Sequence, residues 1–178
     1  MNHQITTAQG QDAAISALDI LSEKGLNFKG AKEALLLHKI RSQPDYEPPF
    51  TLMRASIQVE VCSDNNMGTK HATVKLAIAD KEYISVSEGN GPIDAFDKAL
   101  KKALIETYSW INDIHLMDYE VSLSNPSKET GADTRVSITT KYGEKLFTTV
   151  DVSSDVIEAS IMAICDAYEL CLNQKGEN

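Results

Sequence analysis

Shifting the sequence by 64 positions lays residues 52–103 over residues 116–167 without a gap, and this self-similarity limits the possible folds more than any other feature. Nine of the 52 aligned pairs are identical: Leu52, Met53, Ser63, Lys81, Val86, Ile93, Ala95, Ala99 and Ala103 each meet their own kind. Apolar character also matches where identity does not, with Ile57 over Val121, Val59 over Leu123, Val74 over Ile138 and Tyr83 over Phe147. Whatever structure buries the first set must bury the second in the same way.

Each unit reads as three strands and a helix. In the first, Met53–Cys62 and His71–Ala79 alternate apolar with polar residues, and Tyr83–Val86 makes a short third strand. Turn-like links at Ser63–Gly68 and Asp80-Lys81 separate them. In the second, Tyr119–Leu123, Arg135–Thr140 and Lys145–Asp151 follow suit, with turns at Asn125-Pro126-Ser127 and Tyr142-Gly143. Consecutive strands with tight turns pair antiparallel, and a lone three-stranded meander cannot shield its apolar face, so a helix has to cover it. The expectation is an α+β fold: two pseudo-symmetric βββα units, repeats 52–107 and 116–172, forming a sheet-helix sandwich after a short helical linker subdomain.

The two helices differ. Ile93–Tyr108 keeps a polar side with Asp94, Asp97, Lys98, Lys101, Lys102 and Glu106, as a surface helix with one buried stripe does. Asp155–Leu172 carries apolar residues well beyond one stripe, and Ala159, Ala163 and Ala167 form a small-residue row open to close approach by another helix. This helix is either central within one copy or the contact for a second, and the expectation taken forward is a homodimer. Upstream, Asp12–Lys24 and Gly30–Ile40 read as two short helices joined through Gly25–Lys29, before Gln43–Pro49 breaks the chain as a proline-rich hinge. Residues 1–49 thus form a polar tail, linker and hinge, too small for a core of their own. Residues 50–178 form the main domain.

The chain has 178 residues, enough for one domain, and its 42% hydrophobic content supports a core. A net charge of −9 without a basic cluster argues against nucleic acid and acidic membrane surfaces. Cys62, Cys165 and Cys171 form no C-x-x-C pair and read as reduced thiols. Met1–Gly10 lacks a signal-peptide core and no apolar run approaches bilayer length, so a cytoplasmic protein is expected.

Catalytic chemistry is hard to assemble from these residues. His3, His38, His71 and His115 have no metal-ligand spacing, and neither a nucleophile elbow nor a phosphate loop occurs. The pairs Asp94 with Asp97 and Asp151 with Asp155 sit at helix starts, where acids complement the dipole. No catalytic residue and no metal ligand is assigned. A small enzyme using Asp94 or Asp118 as a base would lack a visible partner group.

One joint stands out: Ser87–Ala95, with Gly89 and Gly91 flanking Asn90 and Pro92 at the first helical position. The glycines allow close approach to the main chain, and free N–H groups at a helix start favour a carboxylate. A plain tight turn explains the same residues. The corresponding place in the second unit reads Val152-Ser153-Ser154-Asp155, which caps a helix without glycine, so the architecture is not expected to require either glycine.

The run Glu88–Ala95 with Ala99-Leu100 and Ala103-Leu104 resembles the regulatory domain of the 2-isopropylmalate synthase family, as do Leu116-Met117-Asp118-Tyr119 and Val152–Ser160. Glu23–Phe28 and Ala31–Ala34 resemble the linker helices of its citramalate synthase branch. The likeness extends over about residues 15–172. It implies an allosteric domain that dimerises and binds leucine or isoleucine as feedback inhibitor of branched-chain amino acid biosynthesis. The catalytic TIM barrel of such enzymes, with its divalent metal and acetyl-CoA, has no counterpart here, so no synthase activity is expected from this chain alone and no cofactor is assigned to it. Residues 50–178 are then the amino-acid-binding and dimerisation domain. The ligand pocket that the resemblance implies maps to Gly89, Asn90, Gly91, Pro92, Ile93, Asp94, Leu116, Asp118, Tyr119, Leu123, Val152 and Ser153. Amides near Gly91–Asp94 would take the carboxylate, Asp118 or free carbonyls the ammonium, and Tyr119 with Leu123 an aliphatic side chain. Regular strand parity sets Leu116 on the face opposite Tyr119 and Leu123, unless a bend intervenes. The competing reading is a stand-alone dimerisation or interaction module with no small-molecule ligand.

Overall fold

The structure is a computed structural model that describes residues 30–61, 68–123 and 133–175. The expected helix Asp12–Lys24, its connection Gly25–Lys29, Cys62, most of the Ser63–Gly68 turn and the Asn125–Ser127 turn lie outside the described residues. Helix α1 (Ala31–Arg41) precedes β1 (Thr51–Val59), β2 (Lys70–Ile78), β3 (Lys81–Glu88) and α2 (Pro92–Leu104). A short 3-10 turn at Ile111–Asp113 leads into β4 (Ile114–Leu123), β5 (Thr134–Tyr142), β6 (Lys145–Ser153) and α3 (Val156–Lys175). The strands form two antiparallel three-stranded sheets, ordered β1-β2-β3 and β4-β5-β6.

The 64-residue repeat holds at the level of geometry. Strand β2 maps onto β5 residue for residue, and both first strands slip register at the same step, between Leu52 and Arg54 and between Leu116 and Asp118. Met53 and Met117 are therefore the extra residues of two equivalent bulges. The bulge also explains why β4 begins at Ile114 and not at Tyr119: one inserted residue breaks the two-residue alternation that marks a strand. The hairpin between the second and third strands turns at Ala79-Asp80 in one unit and Gly143-Glu144 in the other, one residue earlier than expected in the first and one later in the second. Gly143 has φ +57°, and Ala79 takes the same left-handed conformation at +49° despite its methyl group.

Each helix packs on the inner face of its own sheet, α2 on β2 and β3, α3 on β5 and β6, and the two helices touch. One continuous core results, running from Ala72, Val74 and Leu76 through Phe96, Leu100 and Leu104 to Val136, Ile138, Ile164 and Tyr168. A buried hydroxyl on the third strand pins each helix: Ser85 Oγ donates to the Ala99 carbonyl and Thr149 Oγ1 to the Ala163 carbonyl. Helix α2 ends at Leu104, short of the expected Tyr108, because that ring swings out to donate its hydroxyl to the Pro49 carbonyl at 2.8 Å and to meet Trp110 edge-on. Trp110 lies 4.8 Å from Tyr142, which ties the connection between the units to the second sheet.

Two expectations about the helices need correction. Asp97 is not on a solvated side of α2; it is buried, bonded to Tyr168 and paired with Lys101. The alanine row of α3 offers nothing to a second copy, since Ala159, Ala163 and Ala167 are 0% exposed within one chain. The apolar surplus of α3 is consumed by β5, β6, α2 and α1. Exposed apolar side chains lie instead on the strands, Met117, Tyr119, Val121 and Leu123 on β4, with Met53 and Val59 on β1 and Ile84 and Val86 on β3. Cys165 and Cys171 are free and buried, and burial pushes both thiols up, Cys171 to about 12. Among the described residues no helix is long and apolar enough to cross a membrane.

Candidate functional site

The twelve residues singled out by sequence fall into two groups, one in each unit. Gly89–Asp94 form the joint between β3 and α2; Val152 and Ser153 end β6 just before the equivalent joint with α3, while Leu116, Asp118, Tyr119 and Leu123 lie on β4, one strand further across the sheet. In the second group the β4–β5–β6 rungs align Leu123, Thr134 and Ser153. The bulge at Met117 resolves the parity conflict: Leu116 pairs with Thr140, Tyr119 with Ile138 and Leu123 with Thr134, which share one face of β5. Tyr119 reaches Ser160 of α3, Oη to Oγ at 2.8 Å. Ser160 spends its own hydrogen on the Val156 carbonyl, so Tyr119 is the donor. Asp118 lies on the opposite face of β4 from Tyr119, and its Oδ1 accepts from the Tyr119 N–H at 3.0 Å.

The helix starts show what the glycine turn does. In the second unit Asp155 is the cap: its Oδ1 accepts from Ile157 N–H at 2.7 Å and, at a longer 3.4 Å, from Glu158 N–H. Ser153 Oγ accepts from Asp155 N–H and donates to the Glu158 carboxylate, closing the joint with its own side chains. In the first unit Gly91 stands at the position of Asp155, and no side chain caps α2. Pro92 has no N–H to offer, so the amides left without a carboxylate are those of Ile93 and Asp94, the counterparts of Ile157 and Glu158.

The glycines themselves divide in role, which corrects the expectation that neither is required. A Cβ on Gly89 would run into the backbone of Ala95 and lie 2.8 Å from the Asp94 carbonyl carbon, so the helix start packs directly on this residue. A Cβ on Gly91 would meet nothing within 4 Å, and its φ of −141° suits any residue. Gly89 serves the fold; Gly91 keeps the space above the free amides open.

Charge at the joint is internally balanced. Asp94 Oδ2 accepts from Asn90 N–H and from Lys98 Nζ, each at 2.8 Å. Partial burial works against the Asp94 charge, but Lys98 and the Asn90 amide outweigh it and hold this carboxyl below the ordinary range. The start of α2 therefore has the Lys98 ammonium nearby, one acid already committed, and its positive end facing open space. Sequence reasoning found the turn and its contrast with the capped second unit, but missed that Gly89 and Gly91 serve different ends. The contrast between the units was legible in the alignment of Gly91 with Asp155.

The family described as LeuA allosteric (dimerisation) domain matches residues 37–172. The chain is similar to (R)-citramalate synthase of Synechocystis sp., 32% identical over 158 residues, covering 87% of this chain and 29% of that protein. It is similar to (R)-citramalate synthase of Aquifex aeolicus, 35% identical over 163 residues, covering 90% and 31% respectively. The 2-isopropylmalate synthase of Shewanella frigidimarina is 30% identical over 153 residues, covering 86% and 27%. The chain thus spans about three-tenths of the length of these relatives.

Proposed function

Because the chain belongs to the LeuA allosteric (dimerisation) domain family, we propose that it is the regulatory, non-catalytic part of a citramalate or 2-isopropylmalate synthase and binds the end product leucine or isoleucine. The relatives' names supply the enzyme class; the contrast between Gly91 and Asp155 carries the ligand. A carboxylate at the start of α2, supplied from outside, would do for Ile93 N–H and Asp94 N–H what Asp155 does for α3. An amino acid's own carboxylate has the required shape and charge. Gly89, Asn90, Gly91, Pro92, Ile93 and Asp94 form the seat in this reading, with main-chain carbonyls of the joint taking the ligand's ammonium.

Leu116, Tyr119, Leu123, Val152 and Ser153 belong to the second unit, and the apolar strip on β4 is assigned to contact with a second copy. A catalytic barrel with a divalent metal and acetyl-CoA would lie elsewhere in the full enzyme, in the cytoplasm.

Calorimetry with leucine, isoleucine and aspartate tests the reading. One branched amino acid gives saturable heat and aspartate gives none. Gly91→Asp installs the cap of the second unit where there is room for it; it raises stability by about a few tenths of a kcal/mol and abolishes the heat. A branched amino acid that binds this variant undiminished would refute the seat.

A further inference from the structure

Three buried carboxylates link the helix of the proposed seat to the helix that leads into the domain. Asp97 of α2 and Asp166 and Glu169 of α3 are each 7% exposed. Tyr168 Oη donates to Asp97 Oδ1 at 2.6 Å, and Lys101 Nζ lies 3.1 Å from Asp97 Oδ2. Two residues before Tyr168 and one after it, α3 turns acids toward α1. Arg41 Nη2 donates to Asp166 Oδ1 and to Glu169 Oε2, both at 2.7 Å, and Arg41 Nε donates to Glu169 Oε1 at 2.8 Å. Tyr46, in the hinge that follows α1, donates its hydroxyl to Glu169 Oε1 at 2.6 Å.

The bare repeat needs none of this. The first-unit counterpart of Tyr168 is Leu104, and those of Asp166 and Glu169 are Lys102 and Ile105. Burying three acids costs free energy that apolar residues would not, so the arrangement is expensive unless each acid keeps its partner. Holding a charged pair in place also transmits displacement: a partner that moves leaves a buried charge behind, and the network has a bound and a broken state instead of a gradual response.

We infer that Tyr168 is a coupling residue, through which the start of α2 and the docking of α1 bias one another. This rests on the reading that a ligand carboxylate seats at Ile93 and Asp94. Asp97 follows Asp94 within one turn of the same helix, so a carboxylate that draws the helix start shifts the oxygen Tyr168 holds. Tyr168 lies on the same stretch of α3 as the two acids that grip Arg41. Tightening at the seat therefore changes how firmly α1 is held, and by linkage the state of α1 changes affinity at the seat by the same factor.

Amide hydrogen exchange on the full chain, read peptide by peptide, tests this. Tyr168→Phe keeps the ring and removes only the hydroxyl; it raises exchange across residues 31–41 about fivefold or more, although Tyr168 forms its hydrogen bond with α2 and not with α1. Ser85→Ala, which loses a buried hydrogen bond of the first unit off this path, leaves exchange of α1 unchanged. Equal α1 exchange in wild type and Tyr168→Phe, or an equal rise in Ser85→Ala, overturns the coupling. A second arm adds leucine or isoleucine, with calorimetry on the same samples. Heat accompanied by altered α1 exchange, and by a matching change of affinity in Arg41→Met, supports the coupling; heat with α1 unaltered refutes it. No heat from either amino acid refutes the seat, and the Tyr168→Phe comparison then decides the coupling by itself.

Discussion

Ser85 and Thr149, 64 residues apart, make the same buried hydrogen bond: each donates its hydroxyl to the carbonyl of the alanine fourteen positions on, at 2.6 and 2.7 Å. Neither hydroxyl faces solvent, and each fixes the height of a helix over its sheet. Ser85→Ala and Thr149→Val should each lower unfolding free energy by about 1 kcal/mol, measured by urea titration. The two losses should add, because the bonds lie in separate units.

Ala79 holds a left-handed conformation that its counterpart Gly143 adopts without penalty. Ala79→Gly should therefore stabilise the protein by about 1 kcal/mol, against the usual direction for a glycine substitution. Thermal unfolding checks this, and an unchanged or lower midpoint would count against strain at that hairpin.

Burial and the hydrogen bond to Glu169 push the Tyr46 hydroxyl up to about 12 from an ordinary 10.0. A raised value favours the protonated, folded form, so this contribution is complete below pH 10 and is lost as pH climbs toward 12. Stability should fall more steeply across that window in wild type than in Tyr46→Phe. Phenolate absorbance should show one tyrosine fewer titrating in that variant.

If the uncovered strip of β4 is where two copies meet, sedimentation should give a dimer for the wild type, and Val121→Lys with Leu123→Lys should shift it to monomer while leaving circular dichroism unchanged.

Much of the architecture was legible because periodicity and repetition reinforce one another: β2, buried on one face, alternates cleanly, β5 repeats it residue for residue, and both helices carry alanines at matching places. The start of β4 was not legible, because the bulge at Met117 interrupts the alternation it would otherwise show. The role of Asp97 was hidden for a related reason. Its partner Tyr168 is 71 residues away, and a charged residue in a stripe of charges looks solvated until the partner helix is placed. At the glycine turn the residues were evident, but their division of labour was not, since the closeness of Ala95 to Gly89 depends on how the helix sets off from the strand.

Both first strands kink at the same leucine–methionine step, so the kink belongs to the repeated unit itself. One unit alone leaves its helix half covered, and the other supplies the missing surface where α2 meets α3. Two interchangeable halves would make a symmetric object. Joined in one polypeptide they differ at the helix start, glycine in one and aspartate in the other, and that single difference gives the object a front and a back.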